Sequence, residues 1–110
     1  MNAKFCVLAT SKNNQPRACI VMPEKAFGDK IIIADCQMSK TRLNIKANET
    51  VFVSFYDNSL DRCMKCDGTA KYITGGELFA QVKSKLAMQN LRVAGLVEIT
   101  IHSIFEHREN

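Results

Sequence analysis

Apolar and polar residues alternate along much of this chain, a pattern typical of β-strands that bury one face. Residues 5–11 are apolar and β-branched, and the polar residues 12–15 that follow are typical of a turn. We therefore predict a hairpin whose second arm covers residues 17–22. Pro16 and Pro23 stand at its two ends, where a missing backbone N–H costs least.

Four further segments favour strands. Residues 31–34 are too short for a helix and strongly β-branched, and residues 51–56 repeat that chemistry before a polar turn. Residues 65–74 form another strand, in which Gly68 marks a bulge or a close approach. In the last strand, residues 97–105, alternation places Val97, Ile99, Ile101 and Phe105 on one face.

Two segments change to the helical period. Residues 39–48 form a short helix, with Ser39 as its predicted N-cap and Asn48 as its end. Residues 77–90 carry apolar positions at intervals of four and form an amphipathic helix. The prediction is a mainly β fold with two short helices, a six-stranded antiparallel split β-barrel that forms a single domain over residues 1–110.

Composition restricts the class of protein. Hydrophobic residues make up 46% of the 110 and charged residues 24%, which is typical of a globular domain. The longest apolar run, residues 5–9, is far shorter than the roughly 20 residues of a membrane span, and no secretory signal precedes it. We therefore predict a cytoplasmic protein that does not enter a membrane, and the five scattered cysteines favour reduced thiols.

The net charge of +4 comes without the dense basic runs of a nucleic-acid surface, so nucleic acid is not an expected partner. A more local basic signal follows the third strand, where a short loop leads into a helix that starts with Ser39, Lys40 and Thr41. The free N–H groups and positive dipole of a helix N-terminus favour a phosphate. The same residues also fit a plain N-cap followed by a solvated lysine.

The order of these motifs resembles the FMN-binding split-barrel family related to pyridoxamine 5′-phosphate oxidase. The similar features are the opening strand at residues 7–10, the turn into residues 15–17, and the strand before Asp35. The family then has Ser, a basic residue, Lys or Thr, a short helix, Asn and a strand, and residues 39–53 follow that order. The glycine-containing strand at residues 68–70 is also similar.

The resemblance implies a homodimer with FMN at the subunit interface. Residues of the second strand would line the isoalloxazine ring, the end of the third would flank the ribityl chain, and the helix start would hold the phosphate. A partner contact would fall near the start of the glycine strand. In this sequence these positions are Cys19, Ile20, Val21, Ala34, Asp35, Ser39, Lys40, Thr41 and, for the partner contact, Cys63.

The sequence also departs from the family. A helix that usually precedes the first strand is absent, and the Arg and His substrate residues of the true oxidase have no counterpart near the C-terminus. His102 and His107 are better explained as surface or interface residues. Vitamin B6 oxidation is therefore not the expected activity, and no catalytic residue is assigned.

A C-x-x-C motif stands at Cys63 and Cys66. It admits three explanations: two incidental thiols, a redox dithiol that exchanges electrons with a flavin, or half of a zinc site. A zinc site needs a second pair of ligands, which the sequence does not offer. Residues three apart on a regular strand point to opposite faces, which keeps the two thiols apart. A disulfide therefore requires a local turn at residues 64–65.

Two functional hypotheses follow. The first is a small flavoprotein that binds FMN and transfers hydride or electrons, to an acceptor that is either a small molecule or a protein. The second is a non-catalytic split-barrel module that binds haem or another phosphorylated cofactor such as a deazaflavin. The sequence does not name a substrate, an electron donor or an acceptor.

Overall fold

A computed structural model describes residues 5–107, which form seven strands and two helices. Their bounds are β1 (Cys6–Lys12), β2 (Gln15–Val21), β3 (Pro23–Phe27), β4 (Lys30–Asp35), α1 (Ser39–Ala47), β5 (Thr50–Asp57), β6 (Arg62–Ile73), α2 (Glu77–Ala87) and β7 (Gly95–His107). None of the helices in this range is long and apolar enough to cross a membrane.

All seven strands belong to one antiparallel sheet in the order β2-β1-β5-β6-β7-β4-β3. The two edge strands of this sheet, β2 and β3, are separated in the sequence by Met22 alone. The sheet must therefore curl until its edges meet near Met22, and a barrel that is split along this line results. The predicted mainly β split barrel is confirmed.

The seventh strand is β3, which the sequence prediction missed. Its residues, Pro-Glu-Lys-Ala-Phe, include few strand formers, and none of them is buried. The position of β3 at the sheet edge explains why such residues are tolerated there. Pro16, predicted at a strand entrance, lies within β2, where an edge position again removes the need for its missing N–H.

The first hairpin turns at Asn13 and Asn14, whose φ angles of 52° and 62° fit the two-residue type I′ turn. Helix α1 has Met38 at its N-cap position without a side-chain cap, so Ser39 is its first helical residue and not the predicted cap. Asn48 ends α1 as predicted. Helix α2 stops at Ala87, three residues before the predicted end.

Two hydrophobic layers hold the fold together. The barrel interior contains Leu8, Val53 and Ile99, and α1 closes it by inserting Ile45, which is 1% exposed. On the outside, α2 packs its apolar stripe against the sheet; this layer comprises Ile32, Val82, Leu86, Val93 and Leu96. Because β4 contributes to both layers, its run of isoleucines is buried on both faces.

A β-bulge interrupts the pairing of β6 with β7. Gly68 pairs with Ile101 and Asp67 with Ser103, so His102 is an extra residue on β7. The predicted close approach at Gly68 is confirmed, because a Cβ there would lie 2.6 Å from the Thr100 carbonyl oxygen. The bulge also shifts the alternation of side chains along β7. Ile104, and not Phe105, lies on the same face as Ile101, where both line a cavity, so the predicted place of Phe105 on this face is wrong.

Candidate functional site

A basic groove runs between the β1–β2 hairpin and α1. It has a volume of about 390 Å³, and its walls carry the exposed side chains of Lys12, Arg17 and Lys40. No carboxylate of the described residues lines it. Three cations without a local counter-charge make this groove attractive to an anion such as a phosphate.

Hydrogen bonds from α1 to β1 fix the shape of the basic groove. The Asn44 side-chain amide donates to Thr10 Oγ1 at 3.1 Å, and that of Asn48 donates to Ser11 Oγ at 3.0 Å. Since Ile45 on the same helix is buried in the barrel, α1 is anchored by packing and by hydrogen bonds. Lys40 is therefore presented beside the hairpin from a fixed backbone.

An apolar cavity of about 500 Å³ lies where β2 ends. Its walls come from the end of β2, the segment after β4 and the C-terminal turn of α2, and include Ile20, Val21, Met22, Ala34, Met38, Leu86 and Leu91. The two charged residues of its lining neutralise each other, because Lys85 Nζ lies 3.5 Å from Glu24 Oε2. The cavity thus suits a neutral, largely apolar group.

The basic groove and the apolar cavity are neighbours along β2. Arg17 belongs to the groove and Val21 to the cavity, and four residues of extended strand, which place both side chains on the same face of β2, separate them by about 13 Å. The start of α1 borders both, with Met38 on the cavity and Lys40 on the groove. Together they fit an elongated ligand with an anionic end and a flat apolar end.

Asp35 joins β4 to α1 through a buried network. It is 1% exposed, and its Oδ1 accepts a hydrogen bond from the Met38 N–H at 2.7 Å. Its Oδ2 accepts from the Tyr72 hydroxyl at 2.5 Å, and Arg42 Nη1 lies 3.9 Å from the same oxygen. Both carboxylate oxygens are thus engaged within the protein, so the side chain fixes the turn that leads into α1.

Tyr72 is the residue of this network that the sequence analysis missed. Burial raises the pKa of its hydroxyl, and the hydrogen bond to Asp35 raises it further, so the group stays neutral and able to donate. Its ring also packs against Gly95, where a Cβ would lie 2.5 Å from the ring. The 37 positions between Asp35 and Tyr72 left no local sequence signal for this contact.

The nine predicted site residues fall into six groups. Ile20, Val21 and Ala34 line the apolar cavity, Lys40 lines the basic groove, and Ser39 is exposed at the start of α1. Thr41 and Cys19 face each other, with Thr41 Oγ1 3.7 Å from Cys19 Sγ. Asp35 is internal, and Cys63 lies on β6 opposite Tyr56, in the lining of neither cavity.

Thr41 is 3% exposed, so its hydroxyl serves the contact between α1 and β2 and does not face the basic groove. The cations that accompany Lys40 are Lys12 and Arg17, which the sequence analysis did not assign. Arg17 could have been found, because it stands on the same strand, two residues before the first of the β2 residues that the resemblance places along the ligand.

The C-x-x-C motif lies on regular strand. Cys63 pairs with Tyr56 and Cys66 with Val53 without a register shift, so the local turn at residues 64–65 that a disulfide requires is absent. Three residues of strand separate the two Cα atoms by about 10 Å, beyond the disulfide limit of about 7 Å. The described residues also contain no cluster of three or more His, Cys, Asp or Glu side chains that could hold a metal ion.

Comparison with known sequences identifies the family of this chain. The profile of the family described as pyridoxamine 5′-phosphate oxidase matches residues 2–107. The chain belongs to this family. The resemblance noted in the sequence is thereby confirmed, whereas no curated protein matches the chain.

Several solved structures share the fold of this chain. The H111A variant of HupZ from Group A Streptococcus superposes with a TM-score of 0.82 at 21% identity, over 96% of this chain and 92% of that one. An FMN-binding protein from Syntrophomonas wolfei gives 0.78 at 18% identity, over 96% and 78%. An FAD-binding protein from Mesorhizobium loti gives 0.67 at 13% identity, over 96% and 87%.

Proposed function

We propose that this member of the pyridoxamine 5′-phosphate oxidase family binds FMN and uses it to transfer hydride or electrons. The observation that carries the proposal is the continuity of the basic groove and the apolar cavity along β2. The flavin ligands named for the Syntrophomonas and Mesorhizobium proteins support the same class of cofactor.

The residues present fit FMN at both of its ends. Lys40 and Arg17 would hold the phosphate, and the first-turn N–H groups of α1 would donate to it, since helix N-termini bind anions. Ile20, Val21 and Ala34 would cover the ring and exclude water. A bound flavin supplies the hydride chemistry, and the protein supplies binding, orientation and burial.

The proposal includes a homodimer with the flavin at its interface. Ile20 and Met22, at the border of the apolar cavity, are 74% and 57% exposed. Exposed apolar side chains beside a ligand cavity are typical of an interaction surface. A second copy placed over them would cover these side chains and complete the enclosure of the ring.

A non-catalytic binding module is the second candidate. It is favoured by the pairing of Glu24 with Lys85, which leaves the apolar cavity without an unpaired carboxylate or ammonium group among its described lining residues. The two candidates differ in colour and turnover. Bound flavin that is reduced and reoxidised repeatedly supports the oxidoreductase, whereas tight binding of haem or a deazaflavin without turnover supports the module.

The test is a titration of Lys40→Ala with FMN and with riboflavin. A charge-assisted hydrogen bond contributes about 1.5 to 3 kcal/mol, so we expect FMN affinity to fall at least about tenfold. Riboflavin lacks the phosphate, and its affinity is expected to change less than about twofold. Flavin fluorescence quenching and isothermal calorimetry measure both constants.

Lys83→Ala is the matched control, because it removes the same charge from an exposed position on α2 that borders neither cavity. Its FMN affinity is expected to equal that of the unmutated protein. Equal losses for FMN and riboflavin in Lys40→Ala would remove Lys40 from the phosphate site. A protein that binds neither flavin would overturn the proposed function.

A further inference from the structure

A third cavity, of about 550 Å³, lies at the mouth of the barrel that neither helix covers. It is bounded by the β3–β4 hairpin, the end of β5, the start of β6 and the end of β7, which all meet at the same end of the curled sheet. We call it the mouth cavity. It shares no lining residue with the basic groove or the apolar cavity.

The β7 bulge shapes this cavity. The extra residue at His102 lets both Ile101 and Ile104 line it, although the two are three positions apart on the strand. The rim is held in place by a hydrogen bond of 2.7 Å from the Ile101 N–H to the Asp29 carbonyl. Bulges commonly lie at barrel rims and re-aim side chains next to functional sites.

The remaining walls of the mouth cavity are largely apolar. They are provided by Ala26, Phe27, Ile31, Phe55, Met64 and Cys66. Phe27 and Ile104 are 43% and 60% exposed, so the apolar surface continues from the interior to the rim. The free energy falls when an apolar molecule displaces water from a cavity with such walls.

The charged groups of the wall are engaged by the protein itself. Lys30 Nζ lies 3.1 Å from Thr100 Oγ1 and 3.4 Å from Glu98 Oε1. Asp57 Oδ1 accepts from the Ser59 N–H at 3.0 Å and from its hydroxyl at 2.7 Å.

The other two polar residues of the wall stand at its edge. His102 Nε2 lies 3.0 Å from Thr69 Oγ1, and Asp29 is exposed at the tip of the hairpin. Neither places a charge in the depth of the cavity. A charged ligand would therefore lose its hydration there, whereas the charged groups of the wall, Lys30 and Asp57, are already engaged within the protein.

We propose that the mouth cavity is a second ligand site, which takes a neutral, predominantly apolar small molecule. Its volume lies within the roughly 300 to 1,000 Å³ of small-molecule pockets, and barrel mouths are among the places where such pockets occur. This ligand would bind independently of any flavin, because the two sites share no residue.

The test uses 1-aminoanthracene, a neutral aromatic probe whose fluorescence rises in apolar surroundings. In the FMN-loaded protein, in which the flavin fills the apolar cavity, we expect saturable binding of one probe per chain. Ala26→Trp places a large ring in the mouth cavity and is expected to weaken the probe at least about tenfold. Ala87→Trp, at the exposed end of α2, is the matched control and should leave it unchanged.

Each alternative result has a defined meaning. Absence of saturable binding, or an unchanged affinity in Ala26→Trp, would overturn the second site. If FMN displaces the bound probe, the probe occupies the apolar cavity and not the mouth cavity, which would overturn the proposal. If Ala26→Trp does not fold, Ile104→Trp at the exposed rim replaces it, and an affinity unchanged there overturns the proposal equally.

Discussion

Burial decides what each side chain near the proposed flavin site is able to do. Asp35 and Thr41 are 1% and 3% exposed, and their polar atoms are used inside the protein. Lys40 and Arg17 are exposed and free to face a ligand in the basic groove. Residue type and spacing indicated the location of the site, whereas burial separates the residues that shape it from those that would contact the flavin.

At the residue scale, Cys6 makes the stability of the fold depend on pH. Burial above all, together with the neighbouring thiols of Cys19 and Cys66, raises the pKa of its thiol from 9.0 to about 11. The folded state therefore disfavours the thiolate. The stabilisation is complete below pH 9 and is lost as the pH rises toward about 11, because the unfolded chain ionises first.

We expect the urea midpoint of unfolding to fall between pH 9 and about 11, and to fall less steeply in Cys6→Val, which cannot ionise there. Cys63→Val, at a half-buried position outside the core, is the control and should keep the slope of the unmutated protein. Circular dichroism at a series of pH values measures each midpoint. Equal slopes in Cys6→Val and the unmutated chain would contradict the role of Cys6.

At the scale of elements, the pairing of β6 with β7 depends on Gly68. The atom nearest to a Cβ added there, at 2.6 Å, is the Thr100 carbonyl oxygen, and a backbone atom of a central strand cannot move aside as a flexible side chain can. The β-bulge lies directly beside Gly68, and its extra residue, His102, lines the mouth cavity.

Gly68→Ala is therefore expected to lower the free energy of unfolding by about 1 to 3 kcal/mol, the usual cost of overpacking. Gly75→Ala is the matched control, because a Cβ there meets no atom within 4 Å. Denaturant titration of the two variants measures the difference. If both lose the same stability, the close approach at Gly68 does not constrain the sheet.

At the scale of the whole molecule, apolar surface remains exposed beside the apolar cavity, and the proposed homodimer would cover it. Ile20→Glu should convert the dimer to a monomer in sedimentation velocity, because burying an unpaired carboxylate at an interface is costly. We expect FMN affinity to fall with the assembly, since the interface would enclose the ring.

Met88→Glu is the control, because Met88 is 87% exposed at the end of α2 and does not line the apolar cavity. It should leave both the sedimentation coefficient and FMN affinity unchanged. An unmutated chain that sediments as a monomer with full flavin occupancy would contradict the shared site, though not flavin binding itself.

The sequence predicted the strands that have strong local patterns, the two helices and the split barrel. It missed β3, because the strand has no buried residue and owes its place to the sheet edge. Lys40 was assigned from its local motif, but its position beside Arg17 in the basic groove depends on how α1 packs on the hairpin. The contact of Asp35 with Tyr72 joins distant segments, which periodicity alone does not relate.

The strand order of the sheet also governs how the chain folds while it is being synthesised. β4 pairs only with β3 and β7 in the described structure, and β7 is the last strand to leave the ribosome. Until β7 is available, the edge of β4 that pairs with it is open, and this edge carries the apolar run Ile31-Ile32-Ile33. An unpaired, apolar and β-branched strand edge is prone to pair with other chains, so β4 is a site of aggregation until β7 pairs with it.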